Sequence, residues 1–170
     1  KKNYTILRNE LSKVDGITFR TVPEGGEENY SFLNFFLPTQ DLTEKAHKAL
    51  GEAGVDACFY WFKNNWHYIN GWEHLRHLKS LGNLPQEIQN QIQDLNNTNF
   101  SKSDLWMGRT ISSLVKIGCS EEEVSRRAKT MASVCASASK SGSRSTKPEP
   151  RTGSPPIPMQ VDCPSFASLN

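Results

Sequence analysis

The run Asn29–Pro38, NYSFLNFFLP, constrains the fold most. Phe32, Leu33, Phe35, Phe36 and Leu37 make it apolar enough to lie centrally in a sheet, and Pro38 ends it. Three further segments read as strands and can pair with it: Ile17–Val22, Val55–Phe62 and Thr110–Ile117. Helical patterns separate them. Tyr4, Leu7, Leu11 and Val14 recur at helical spacing, with Gly16 as the stop. Thr39 or Asp41 can cap a helix over Leu42–Ala53, whose buried stripe is Leu42, Ala46, Ala49 and Leu50. Ser120 and Glu123 form a capping box, and the helix it opens continues through Val124, Ala128, Met131 and Val134 or Cys135. Between the third and last strands lie a short helix within Trp72–Leu81, a modest one in Leu84–Phe100 and a helical turn from Ser103–Asp104 to Met107. The order α-β-β-α-β, an irregular segment, then β-α predicts an α+β fold, a small mixed sheet covered by helices.

The 170 residues allow one ordinary domain. Hydrophobic residues are only 36% of the chain, so something polar dilutes a normal core. The dilution lies beyond Ser137, in a Ser/Pro-rich stretch that holds six of the nine prolines. Lys140, Arg144, Lys147 and Arg151 there outnumber Glu149 and Asp162, which accounts for the net charge of +2. Such a segment buries too little to offset its ordering entropy, so residues 137–170 are expected to be a disordered tail behind a domain of residues 1–136. A charge of +2 is too small for a nucleic-acid binder. Cys58, Cys119, Cys135 and Cys163 have no metal-ligand spacing and read as reduced thiols in the cytoplasm. No apolar run approaches the roughly 20 residues that span a bilayer, and no signal peptide is visible. The chain opens on Lys1 directly into a helical pattern, which points to a domain upstream.

The densest aromatic stretch is Gly54–Trp72, GVDACFYWFKNNWHYINGW. On a strand over Val55–Phe62, Cys58, Tyr60 and Phe62 share one face and Ala57, Phe59 and Trp61 the other. Asn64, Asn65 and His67 follow where loops present functional groups. Ring faces beside amides and an imidazole suit a polyhydroxylated ligand, with Tyr60, Trp61, Asn64, Asn65 and His67 at a cleft while Phe59 and Phe62 pack. The plainer reading is a core of rings with capping asparagines. Gly108-Arg109 sets a guanidinium at the start of the last strand, where it can fork onto a substrate carboxylate or pair structurally with Asp104 or another acid. His47, His67, His74 and His77 lack partners at metal-ligand spacing, so no metal site is expected. No nucleophile elbow or glycine-rich phosphate loop is present.

The blocks ENYSFLNFFLPT, GVDACFYWFKNNWHYINGWEHL and SDLWMGRTISSLVKIGCSEEEV, in that order, resemble the C-terminal small domain of DegT/DnrJ-type sugar aminotransferases. The likeness covers about residues 1 to 135 and is greatest for the branch that aminates a 3-deoxy-octulosonate sugar. His67 stands where that family carries the histidine of a Pro-x-His-like segment, without the proline. The resemblance implies a fold-type-I pyridoxal 5'-phosphate enzyme moving an amino group from glutamate to a keto-sugar for surface-polysaccharide biosynthesis. It places the Schiff-base lysine, the cofactor-binding residues and the homodimer contact in a large domain ahead of Lys1. It therefore implies no catalytic or cofactor-binding residue in this chain. It also makes Arg109 a candidate for the carboxylate-binding arginine that such small domains often carry. A pyridoxamine-dependent sugar dehydratase shares the fold and the same implications. The alternative of another class is a stand-alone carbohydrate-binding or interaction module.

Overall fold

The computed structural model describes residues 1–64 and 66–142, the last three through their backbone alone. Asn65 and the expected tail from residue 143 onward lie outside the described residues.

Helix α1 (Lys2–Leu11) buries Tyr4, Leu7 and Leu11, the spacing anticipated, and Val14 joins the core just beyond its end. The chain then turns at Gly16, whose φ of +80° suits glycine and whose absent Cβ would lie 2.8 Å from Pro38. Strands β1 (Thr18–Phe19) and β2 (Phe32–Phe36) follow. Helix α2 (Gln40–Glu52) is capped by Thr39, whose hydroxyl accepts the Leu42 amide at 3.3 Å. Asp41 sits inside the first turn and pairs with Lys45.

Strand β3 is confined to Cys58–Phe59, shorter than the eight residues anticipated. Ala57, at φ +50°, breaks the extended run before it, and Trp61–Lys63 winds into a 3₁₀ turn after it. A second 3₁₀ turn (Ile69–Gly71) leads to α3 (Glu73–Arg76), α4 (Gln86–Asn97) and α5 (Ser101–Gly108). Strand β4 (Thr110–Leu114) and helix α6 (Glu121–Gly142) complete the described chain. The capping box forms in both directions: Ser120 Oγ accepts the Glu123 amide at 3.2 Å, and Glu123 accepts the Ser120 amide at 2.8 Å.

The fold is α+β, with strand order β1-β2-β4-β3. The expected mixed sheet is corrected: every pairing is antiparallel. β2, α2 and β3 do form a β-α-β crossover, and β2 and β3 run the same way, both antiparallel to β4. β4 inserts between them, so the parallel pair never meets. Helices α1, α2 and α6 close one face over Leu33, Phe35, Leu37, Ile111 and Val115.

The expected domain boundary after residue 136 is also corrected, because α6 runs to Gly142 and Ala138 is buried in the core. Serine content suggested a loop. In the helix, Ser137 and Ser139 return their hydroxyls to the carbonyls four residues back, at 2.9 and 3.1 Å. Met131, Cys135 and Ala138 keep the inner stripe apolar. Among the described residues no helix is long and apolar enough to cross a membrane.

The alternation of β2 gives a direct test. Phe35 is fully buried among the helices and Phe36 is half-buried on the other face. Phe35→Ala is expected to cost about 3–5 kcal/mol in denaturant unfolding, and Phe36→Ala markedly less. Equal costs would mean that the two faces are covered alike.

Candidate functional site

The second face of the sheet carries the alternate residues of the same strands. Asn34 lies opposite Ser112, and the Ser112 hydroxyl donates to Asn34 Oδ1 at 2.7 Å. Around that polar pair sit rings that are half-buried, apart from the exposed Trp106. Phe32 meets Phe59 edge-on at 6.1 Å, and Phe36 meets Trp106 at 5.3 Å. Phe59 stacks flat on Trp61, with centroids 4.7 Å apart and planes 7° apart. The shared side expected for Phe59 and Trp61 is therefore present, although Trp61 lies in the 3₁₀ turn and not in a strand. His67 is exposed and stands edge-on to Trp61 at 4.4 Å.

Past the 3₁₀ turn lies an open cleft of about 990 Å³. Phe62 and Tyr68, stacked at 5.6 Å, form its ring wall, with Asn64, Asn70, His74 and Lys79 around it. Asn64 Oδ1 accepts the Trp66 amide at 2.8 Å, which fixes the side chain and leaves its N–H donors for other partners. Lys63 also borders the cleft, with its ammonium held by Glu44 at 2.6 Å.

The residues anticipated at a cleft are thus divided. Asn64 lines it. Trp61 and His67 touch each other outside the cleft lining. Tyr60 is a correction: it is buried, and its hydroxyl donates to the Gly108 carbonyl at 3.0 Å. The physical reason is that the last carbonyls of α5 have no partner within the helix, and Tyr60 supplies one. Phe62, assigned to packing from the sequence, lines the cleft instead. Asn65 lies outside the described residues.

Arg109 stands at the entrance to β4, and of its two anticipated roles the ion pair with Asp104 is not formed. Arg109 Nε donates to the Leu37 carbonyl at 2.7 Å while the Leu37 amide donates to the Arg109 carbonyl at 2.9 Å. Its guanidinium covers the Trp106 ring at 5.5 Å. A Cβ at Gly108 would come within 3.1 Å of Gln40 Oε1, so the chain beside Arg109 is closely packed. Asp104 instead accepts from Tyr68 and Asn70.

The sequence reading missed Tyr68, Asn70, His74 and Lys79. Asn70-Gly71 carried a turn signal, but nothing in one chain's pattern says which side chains a turn will aim at a common space.

Two phenols are displaced from ordinary behaviour. Burial, then the charge of Glu44, pushes Tyr60 up to about 12. Burial, then the hydrogen bond and charge of Asp104, pushes Tyr68 up to about 12. Both remain donors at neutral pH. No protein-family model matches the chain.

Tyr60→Phe removes one donor from a buried carbonyl and is expected to cost about 1 kcal/mol at pH 7. The unfolded chain ionises its phenols near pH 10, so between about pH 10 and 12 it releases a proton that native Tyr60 retains. Native stability therefore falls as pH rises, and the advantage of Tyr60 over phenylalanine shrinks across that window. Thermal melts of both proteins from pH 8 to 12 check this; a constant gap would contradict it.

Proposed function

We propose that this chain is the C-terminal small domain of a DegT/DnrJ-type, pyridoxal 5'-phosphate-dependent aminotransferase acting in the cytoplasm. The intact enzyme transfers an amino group from glutamate to a keto-sugar, with a 3-deoxy-octulosonate as the foremost candidate. One observation supports this reading above the others. An open cleft has two stacked rings for a wall, Phe62 and Tyr68, with the Asn64 amide oriented beside them. A domain that closes over a sugar substrate needs such a cleft. Ring planes such as Phe62 and Tyr68 cover the C–H side of a sugar, and amides such as Asn64 bond its hydroxyls.

The described residues do not fit the cofactor by themselves. Both lysines at the cleft, Lys63 and Lys79, are exposed, and Lys63 is committed to Glu44. When bound, pyridoxal 5'-phosphate supplies the electron sink for amino transfer. In this reading another domain holds it and carries the homodimer contact, while this chain's residues orient the sugar and exclude water.

The flat Phe59–Trp61 stack favours a second reading, a carbohydrate-binding module that needs no cofactor. The two separate in one experiment. The product encoded by this chain together with the coding sequence upstream of Lys1 is supplied with pyridoxal 5'-phosphate, glutamate and the octulosonate keto-sugar. Formation of 2-oxoglutarate and amino-sugar is expected, with none from the 170-residue chain alone. Within that enzyme, Asn64→Ala should lower kcat/KM for the sugar about tenfold without changing the melting temperature. Sugar binding without amino transfer by the longer product would establish the module and overturn the aminotransferase.

A further inference from the structure

The ring wall of the cleft is held from behind by an acid that does not line it. Tyr68 and Asn70 both face the cleft, and Asp104 of α5 is absent from its lining. A single oxygen of Asp104 accepts both the Tyr68 hydroxyl and the Asn70 amide, the latter at 2.8 Å. The same Asn70 nitrogen reaches the Tyr68 oxygen at 3.0 Å. The other end of Asn70 faces Arg76 at 3.4 Å. Arg76 is tied to α4 twice: its Nε donates to Asn96 at 3.0 Å, and Asn96 donates to its carbonyl at 2.8 Å. The polar ends of Tyr68 and Asn70 are therefore taken up by the protein. What Tyr68 offers the cleft is its ring, stacked on Phe62.

Tyr68 is buried, so its hydroxyl needs an acceptor where it lies. The bond to Asp104 tethers the ring, and without that tether the Phe62–Tyr68 wall loses its fixed plane. We propose that Asp104 is a positioning residue of this cleft: by gathering Tyr68 and Asn70 on one oxygen, it sets the aromatic wall against which a hydroxylated ring ligand lies. This rests on reading the cleft as a sugar site. It adds that a residue 34 positions beyond Asn70, with no contact to the ligand, controls affinity.

The choice of variants follows from the use of one oxygen. An amide oxygen can accept both bonds, so Asp104→Asn keeps the wall, whereas Asp104→Leu accepts neither. Tyr68→Phe keeps the ring and loses its anchor. The 170-residue chain and these variants are titrated with 3-deoxy-manno-octulosonate, followed by NMR shifts of the cleft residues. Asp104→Asn should bind within about threefold of the unsubstituted chain, Asp104→Leu about tenfold more weakly, and Tyr68→Phe between them. Rescue by asparagine separates positioning from charge. Unchanged binding by a folded Asp104→Leu overturns the positioning role and leaves the cleft assignment standing. If Asp104→Leu does not fold, unchanged binding by Tyr68→Phe overturns it equally. If the sugar shifts no cleft signal in the unsubstituted chain, the cleft assignment falls and the positioning role falls with it.

Discussion

The pairing of β2 with β4 is the constraint on which the rest depends. Five consecutive residues are in register, from Phe32 opposite Leu114 to Phe36 opposite Thr110. Within it Phe35 faces Ile111, both fully buried. Side chains alternate along a strand, so a slip of one residue would send Phe35 and Leu33 outward and bring Asn34 into the core. The apolar stripes of α1, α2 and α6 fit only the register that keeps Leu33, Phe35 and Leu37 inward. That same register assigns Phe32, Asn34, Phe36 and Ser112 to the second face.

The junction between α5 and β4 holds this pairing in place from one end. Arg109 and Leu37 exchange hydrogen bonds, one through backbone atoms and one through the guanidinium. Tyr60 adds a donor at the preceding carbonyl. Two residues with the chemistry of a binding site thus act as struts where a helix ends and a strand begins. Both satisfy backbone groups that would otherwise be unpaired away from water. Trp106 lies over the junction, in contact with Phe36 on one side and Arg109 on the other.

The same helix organises the cleft. Asp104 lies one turn before Gly108, so α5 contacts the sheet through one end and the cleft wall through its middle. Tyr68, Asn70, Arg76 and Asn96 then link α5 to α3 and α4 by hydrogen bonds between side chains. Helix α4 buries only Ile92 and α3 buries no residue. Polar contacts, not a second core, therefore fix this region. A surface built that way keeps ring faces and spare amide donors available to a ligand.

The sequence by itself determined the order of the main helices and strands and the inner face. The helical spacing of Tyr4, Leu7 and Leu11, the caps at Thr39 and Ser120, and the apolar run of β2 are local signals, and each acts within a few residues of itself. Tertiary structure decided the rest. The antiparallel sheet followed from β4 inserting between two strands joined by a crossover, a choice no segment makes alone. Burial of Ala138 on the core carried α6 past the compositional boundary. Whether an aromatic residue lines a cleft or braces a helix end also depended on distant partners: Tyr60 met Gly108, 48 residues on, and Tyr68 met Asp104, 36 residues on. Residue type and periodicity show that such rings need cover and that their hydroxyls need acceptors. Only the packing of remote segments supplies them, because hydrogen bonds and ring contacts act over a few ångströms in space, whatever the separation along the chain.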